Sequence, residues 1–198
     1  MNKILITATQ NHYMYSKLKS LPSFVDYDLN MLVEADILFD FSLTKKEEKK
    51  DFIQKHQNKI FSDLTLYDHR DIEVRGKFSS VFVSPNSKIE FVARDEDKEL
   101  IVQVLKDLSL APLFVTDPRI SFVFPRILVQ IINEAFFAIE EKVAAANDID
   151  TAMLFGVNYP KGPIEWGKLA GLQHVSQILD ELFLITNDQR YLKSKFLY

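Results

Sequence analysis

The feature that most constrains this chain is a change of hydrophobic pattern near residue 117. Before it, short apolar runs alternate with charged stretches. The runs stand at 3–7, 23–29, 34–43, 59–67, 77–83 and 87–93, with "APLFVTD" after residue 110. Short apolar runs bounded by polar turns predict buried strands. The stretches between them predict helices. A weak one covers 13–21 and stops near Pro22. "TKKEEKKDFIQKHQ" at 44–57 offers Thr44 as N-cap with Glu47 three residues on, a capping box. "DEDKELIVQVLKDLSL" at 95–110 opens with acids that suit the positive end of a helix. Strands alternating with helices predict an α/β layer with mostly parallel strands.

After Asp117 the strand pattern stops. "FVFPRILVQIINEAFFAIEEKVAA" reads as a long apolar helix. "NDIDTAMLFGV" reads as a second, capped at Asn147 or Asp148 and ended by Gly156. One or two more follow between Pro163 and Asp188. The expectation is therefore an α/β domain over 1–116 and an all-α domain over 117–198. On the long helix, Ile127, Leu128, Ile131, Phe136 and Ile139 are expected to face inward. Val129, Ile132 and Phe137 are then left needing a second cover, and this predicts a homodimer formed by the helical half.

Composition narrows the chemistry. The chain has 198 residues, 47% of them hydrophobic, enough for a substantial core. A net charge of −4 without basic clustering gives no case for nucleic acid or an anionic membrane as partner. No run approaches the roughly 20 apolar residues of a membrane span. The first residues lack a signal-peptide pattern, so the expected location is cytoplasmic. With no cysteine, thiolate nucleophiles and Cys-based metal sites are excluded, and no metal site is expected.

Glycine carries the sharpest information. There are five, and none precedes Gly76; Gly156, Gly162, Gly167 and Gly171 crowd together late in the chain. The opening "KILITATQNHYMYSKL" has the strand–turn–helix form of a dinucleotide site. Such a site needs glycine for the tight turn and for backbone approach to pyrophosphate. Its turn, "TATQNHYM", has none.

The second half is similar to the C-terminal helical domain of the 3-hydroxyacyl-CoA dehydrogenases. The resemblance rests on "DIDTAM" at 148–153, "NYPKGPIE" at 158–165 and "GL" at 171–172, spaced as in that family. The first half resembles the family more loosely, as a trimmed Rossmann-like parallel-sheet domain shortened by many tens of residues. The resemblance implies an NAD-dependent oxidoreductase of fatty acid metabolism, an acyl-CoA-like ligand and a dimer. It implies a catalytic histidine, a glutamate that orients it, and an asparagine before an arginine. The histidine position falls on Phe78 or Ser79, and no histidine lies between Arg70 and Gln173. Glu90 stands at the glutamate position and Arg126 at the arginine, but Pro125 replaces the asparagine.

These departures favour a diverged, catalytically silent member, a pseudoenzyme that keeps an acyl-CoA-like cleft and the dimer interface. No cofactor is then expected. Two alternatives stand beside it: an NAD-dependent 3-hydroxyacyl-CoA oxidoreductase with a displaced base, and a structural or scaffolding dimer. His69 in "YDHRD" is the candidate displaced base, and a surface charge cluster is the reading it more readily takes. Asp28, with Asp26, lies where an acid would bind ribose, and an acid ending a strand explains it too. Glu90 reads also as a solvated strand residue, Arg126 as a charge at a helix start, and Trp166 as core or dimer packing.

Overall fold

The computed structural model describes residues 3–31, 34–82, 87–116 and 119–197. Seven strands appear in chain order: β1 (Ile4–Ala8), β2 (Phe24–Asp26), β3 (Ile37–Phe41), β4 (Ile60–Asp63), β5 (Gly76–Ser79), β6 (Lys88–Val92) and β7 (Ala111–Phe114). They form one sheet in the order β2-β1-β3-β4-β5-β6-β7. The helices among them are α1 (Tyr15–Lys19), α2 (Lys46–His56) and α3 (Lys98–Asp107). Four more follow: α4 (Val123–Glu140), α5 (Ala146–Gly156), α6 (Pro163–Ala170) and α7 (Leu172–Thr186). The architecture is thus an α/β part followed by an all-helical part. The expected domain boundary falls at Asp117 and Pro118, outside the described residues.

β1 to β5 are mutually parallel, whereas β6 is antiparallel to β5. The connection at 80–87 is too short for a crossover helix, so the chain can only turn back. β7 runs parallel to β6 because α3 supplies the crossover between them. The sheet is therefore mixed.

Phenylalanine fills one face of the sheet. Phe39 stacks on Phe61 at 4.8 Å, and Phe78 contacts both Phe41 at 4.7 Å and Phe91 at 4.9 Å. Leu18 of α1 and Ile101 and Leu105 of α3 close over this aromatic ladder. On the opposite face Leu38 and Ile60 meet Phe52 of α2, and the same core continues into Leu128, Val129, Ile178 and Leu182 of the helical half. The two halves share a core.

Two caps differ from expectation. α2 begins after Lys45, not Thr44, and no side chain caps it. α5 begins after Ala145, again without a side-chain cap, rather than at Asn147 or Asp148. α4 also faces differently: Leu128, Val129, Ile132, Ala135 and Phe136 are buried, while Ile127 is 57% exposed. The inward stripe follows the i, i+1, i+4, i+7, i+8 spacing of one helix face. Val129 and Ile132 lie on it and Ile127 does not.

Candidate functional site

The chain leaves β1 for β2 on one side and returns to β3 on the other. The crevice at the carboxyl ends of β1 and β3 is where such sheets bind ligands. Here the loop at 9–14 is stitched across it. Thr9 Oγ1 accepts the Leu43 N–H at 2.8 Å, and the Asn11 amide donates to the Leu43 carbonyl at 3.2 Å. His12 turns inward, is buried, and lies edge-on to Phe41 at 5.9 Å. α1 is one short turn longer than a loop, with no side-chain cap. Pyrophosphate does not fit between Thr9 and Leu43 while these bonds stand. Asp28 is spent on the Asn30 N–H at 2.8 Å, and Asp26 accepts the Tyr15 hydroxyl at 2.5 Å.

Beneath the loop lies a buried polar chain. The Met14 N–H donates to His12 Nδ1 at 3.1 Å, which makes that nitrogen an acceptor. The imidazole proton is therefore on Nε2, 2.9 Å from Ser80 Oγ, and the Ser80 hydroxyl donates onward to Asp63. Asp63 also accepts the Ser80 N–H at 3.0 Å and the Thr65 hydroxyl at 2.6 Å, and Thr65 reaches Ser79 Oγ at 3.1 Å. With its proton pointed at Ser80, His12 cannot act as the base that activates that serine. Burial pushes the Asp63 carboxyl up and the His12 imidazole down, to about 3, with His174 and Lys49 adding to the latter.

A second buried group, on α2 and β3, holds the crevice floor. Lys49 Nζ contacts Asp40 Oδ2 at 2.7 Å, the Ser42 carbonyl at 2.6 Å and Ser42 Oγ at 3.0 Å, which uses all three of its donors. Asp40 also accepts the Ser62 hydroxyl at 2.7 Å and the Ser42 N–H at 2.9 Å. Neither group was singled out in the sequence. The signal for them was polar residues, "FDFSL" and "FSDLT", inside runs otherwise apolar enough to be buried.

Ser79, not Phe78, lies directly opposite Glu90 across β5 and β6. Glu90 is no solvated strand residue: it is 6% exposed. One carboxylate oxygen accepts the Val123 N–H at 3.0 Å and the Phe124 N–H at 3.1 Å. Glu90 thus caps the first turn of α4 from another element, where a negative charge meets the positive helix end. Burial pushes its carboxyl up, against the pull of those two amides.

His69 is not part of a surface cluster. It is fully buried, with its ring 5.0 Å from Phe122, the residue that precedes α4. Its neighbours are engaged elsewhere: Asp68 by Arg70 at 2.6 Å and Asp71 by Lys50 at 2.9 Å. Arg126 donates to the Tyr191 hydroxyl at 2.5 Å and lies over that ring, as a structural charge would. Pro125 is buried within the first turn of α4.

An apolar groove of about 200 Å³ includes Phe124, whose amide Glu90 holds. It is lined by Phe124, Ile127, Ile131, Tyr159, Pro160 and Trp166. Trp166 packs on Phe124 at 5.8 Å. Among the described residues, no helix is long and apolar enough to cross a membrane.

The model of the 3-hydroxyacyl-CoA dehydrogenase C-terminal domain matches residues 122–198. The chain is 46% identical over 66 residues to 3-hydroxyadipyl-CoA dehydrogenase of Escherichia coli, covering 33% of this chain and 14% of that protein. It is 34% identical over 93 residues to 3-hydroxybutyryl-CoA dehydrogenase of Clostridioides difficile, covering 47% of this chain and 33% of that one. The matches thus span a third or less of these two relatives. The crystal structure of (S)-3-hydroxybutyryl-CoA dehydrogenase PaaH1 from Ralstonia eutropha shares the fold, with a TM-score of 0.69 over 100% of this chain and 92% of that one at 16% identity. The helical half, residues 122–198, thus matches the C-terminal domain of the 3-hydroxyacyl-CoA dehydrogenases, and the fold of both halves is that of the solved dehydrogenase.

Proposed function

We propose that the protein is a homodimer that binds a short 3-hydroxyacyl thioester of the CoA type in the groove that Phe124 and Trp166 line. The observation that carries this reading is the junction of Glu90 with Phe124. The carboxylate is held by the backbone amide of Phe124, a residue that lines the groove. An apolar groove of about 200 Å³ suits a short acyl chain. Ser79 lies directly opposite Glu90 on the neighbouring strand, with its hydroxyl bonded to Thr65. With a domain division at 116/117, the residues lining the groove belong to the helical half.

Two chemical outcomes follow. The relatives are named as dehydrogenases of 3-hydroxyacyl-CoA compounds, which supports NAD-dependent oxidation; His69 is then the candidate displaced base. The bridged crevice supports binding without turnover. Trp166 is the only tryptophan and lines the groove, so its fluorescence reports on the occupant. Titration with 3-hydroxybutyryl-pantetheine is expected to give a saturable change in emission. A flat titration removes the thioester reading. Adding NAD to 3-hydroxybutyryl-CoA then separates the outcomes. NADH formation abolished by His69→Ala establishes the displaced base, and silence despite binding establishes the non-catalytic member.

A further inference from the structure

The sheet has a second concave site at its other end. Asn58 precedes β4, Arg75 precedes β5, and Arg94 follows the antiparallel β6, so all three meet at the amino-terminal edge of the parallel strands. They surround a cavity of about 570 Å³ that also takes in Arg70 and Lys77. Four cationic side chains line it with one lining carboxylate, Glu73, while Asp68, Asp97 and Glu96 pair with Arg70, Arg75 and Arg94 from outside the lining. The cavity is separated from the β1–β3 crevice by the length of the strands, about 13 Å for four residues.

The central cation is built into place. The guanidinium of Arg75 is held by Asp97 through Nη2 at 2.6 Å and Nε at 3.1 Å, and Asp97 is itself buried. It lies over the Phe61 ring at 5.4 Å. Gly76 makes this possible, because a Cβ there would overlap the Phe61 ring. Lys77 is fixed from the other side by donating to the His69 carbonyl at 2.5 Å. Glu73 is drawn off towards the Gln57 amide at 3.3 Å. Cations fixed before a ligand arrives lose little freedom on binding it.

We infer that this cavity binds a nucleoside diphosphate group, with Arg75, Lys77 and Arg94 on the phosphates. A lone phosphate would leave most of the volume unfilled. Asn58 offers amide donors and acceptors for a base, and Ile72 and Val74 offer it an apolar wall. The group occurs as a free nucleotide and as the nucleotide end of CoA. The inference is independent of the thioester reading, since the pantetheine probe used there carries no phosphate.

Calorimetric titration of the full chain with ADP tests it. Saturable binding is expected, weakened about tenfold by Lys77→Gln and by Arg94→Gln and weakened again as salt rises. Arg94 is largely exposed, so that variant keeps the test clear of folding defects. Binding of CoA with the same sensitivity to both variants assigns the site to the CoA nucleotide; binding of ADP without CoA assigns it to a free nucleotide. Absence of ADP binding, binding unmoved by both variants, or pyrophosphate binding as tightly as ADP would each overturn the inference.

Discussion

The ammonium of Lys49 and the carboxylate of Asp40 meet at 2.7 Å with neither side chain reaching solvent. Removing one partner leaves a charge in the interior, so Lys49→Met is expected to destabilise the fold by about 3–5 kcal/mol. Replacing both, as Lys49→Met with Asp40→Leu, is expected to recover part of that loss, since no charge is orphaned although the Ser62 hydroxyl and Ser42 N–H lose their acceptor. Chemical denaturation of the three chains checks this. Equal losses in the single and double variants would show that the pair itself, not the orphaned charge, carries the stability.

The His12 imidazole gives the protein an acid-sensitive joint. Its ordinary value of 6.5 falls to about 3 in the fold, so the native form is neutral. Above pH 6.5 it adds no pH dependence. As pH falls from 6.5 towards 3, the unfolded chain takes up a proton that the native chain refuses, and stability drops. His12→Gln removes this limb. The stability difference between wild type and variant should shrink by about 3–5 kcal/mol across that window. Parallel stability curves would show that His12 is solvated.

Glu90 should behave as a cap. Glu90→Ala leaves two part-buried amides of α4 without their acceptor and should cost about 2 kcal/mol. Glu90→Gln keeps an acceptor and loses only the charge, so its cost should be near 1 kcal/mol. Thermal denaturation ranks the two. Were Gln as costly as Ala, the charge rather than the hydrogen bonds would hold the helix.

The turn before α4 holds strain that one substitution can release. Ser121 adopts φ 56° and is buried, and its hydroxyl finds no partner among the described residues. Glycine accepts that conformation and carries no hydroxyl. Ser121→Gly is expected to raise stability by about 1 kcal/mol, read as a higher melting temperature. A lower one would mean that the hydroxyl serves the native state.

The fold was largely legible because strands buried on both faces read as unbroken apolar runs, as in "ILFDF". The direction of β6 was not, since parallel and antiparallel neighbours share the same run and differ only in the connection. The absence of glycine in "TATQNHYM" foretold a changed crevice. It could not foretell that His12 would fill it, because Ser80 and Asp63 lie 68 and 17 residues from their partners in the network. Glu90 was located by resemblance, yet its role depends on α4 arriving from 33 residues away. Long-range polar partners leave no local pattern. On α4 the error was one of phase: a helix rich in apolar residues on most sides does not declare its inner face, and packing against α6 and α7 decided it.

That same packing relocates the surface that predicts assembly. The residues left outside are not Val129 and Ile132 but Ile127, 57% exposed, and Phe155 on α5, 85% exposed. Between α4 and α5 runs an apolar groove of about 450 Å³, lined by Ile131, Ala138, Ile149 and Met153. An aromatic ring standing in water and an apolar groove are unfavourable monomer surfaces, and a two-fold partner is the commonest cover for such surfaces. The expected mass by light scattering is that of two chains. Phe155→Asp places a charge on the covered face and should shift the mass to one chain without loss of helical signal, because Phe155 contributes little to the core. Phe137→Asp, half-buried within the chain, should lower stability as well. A wild-type mass of one chain at micromolar concentration would refute the dimer, and an unchanged dimer in Phe155→Asp would place the interface on another face.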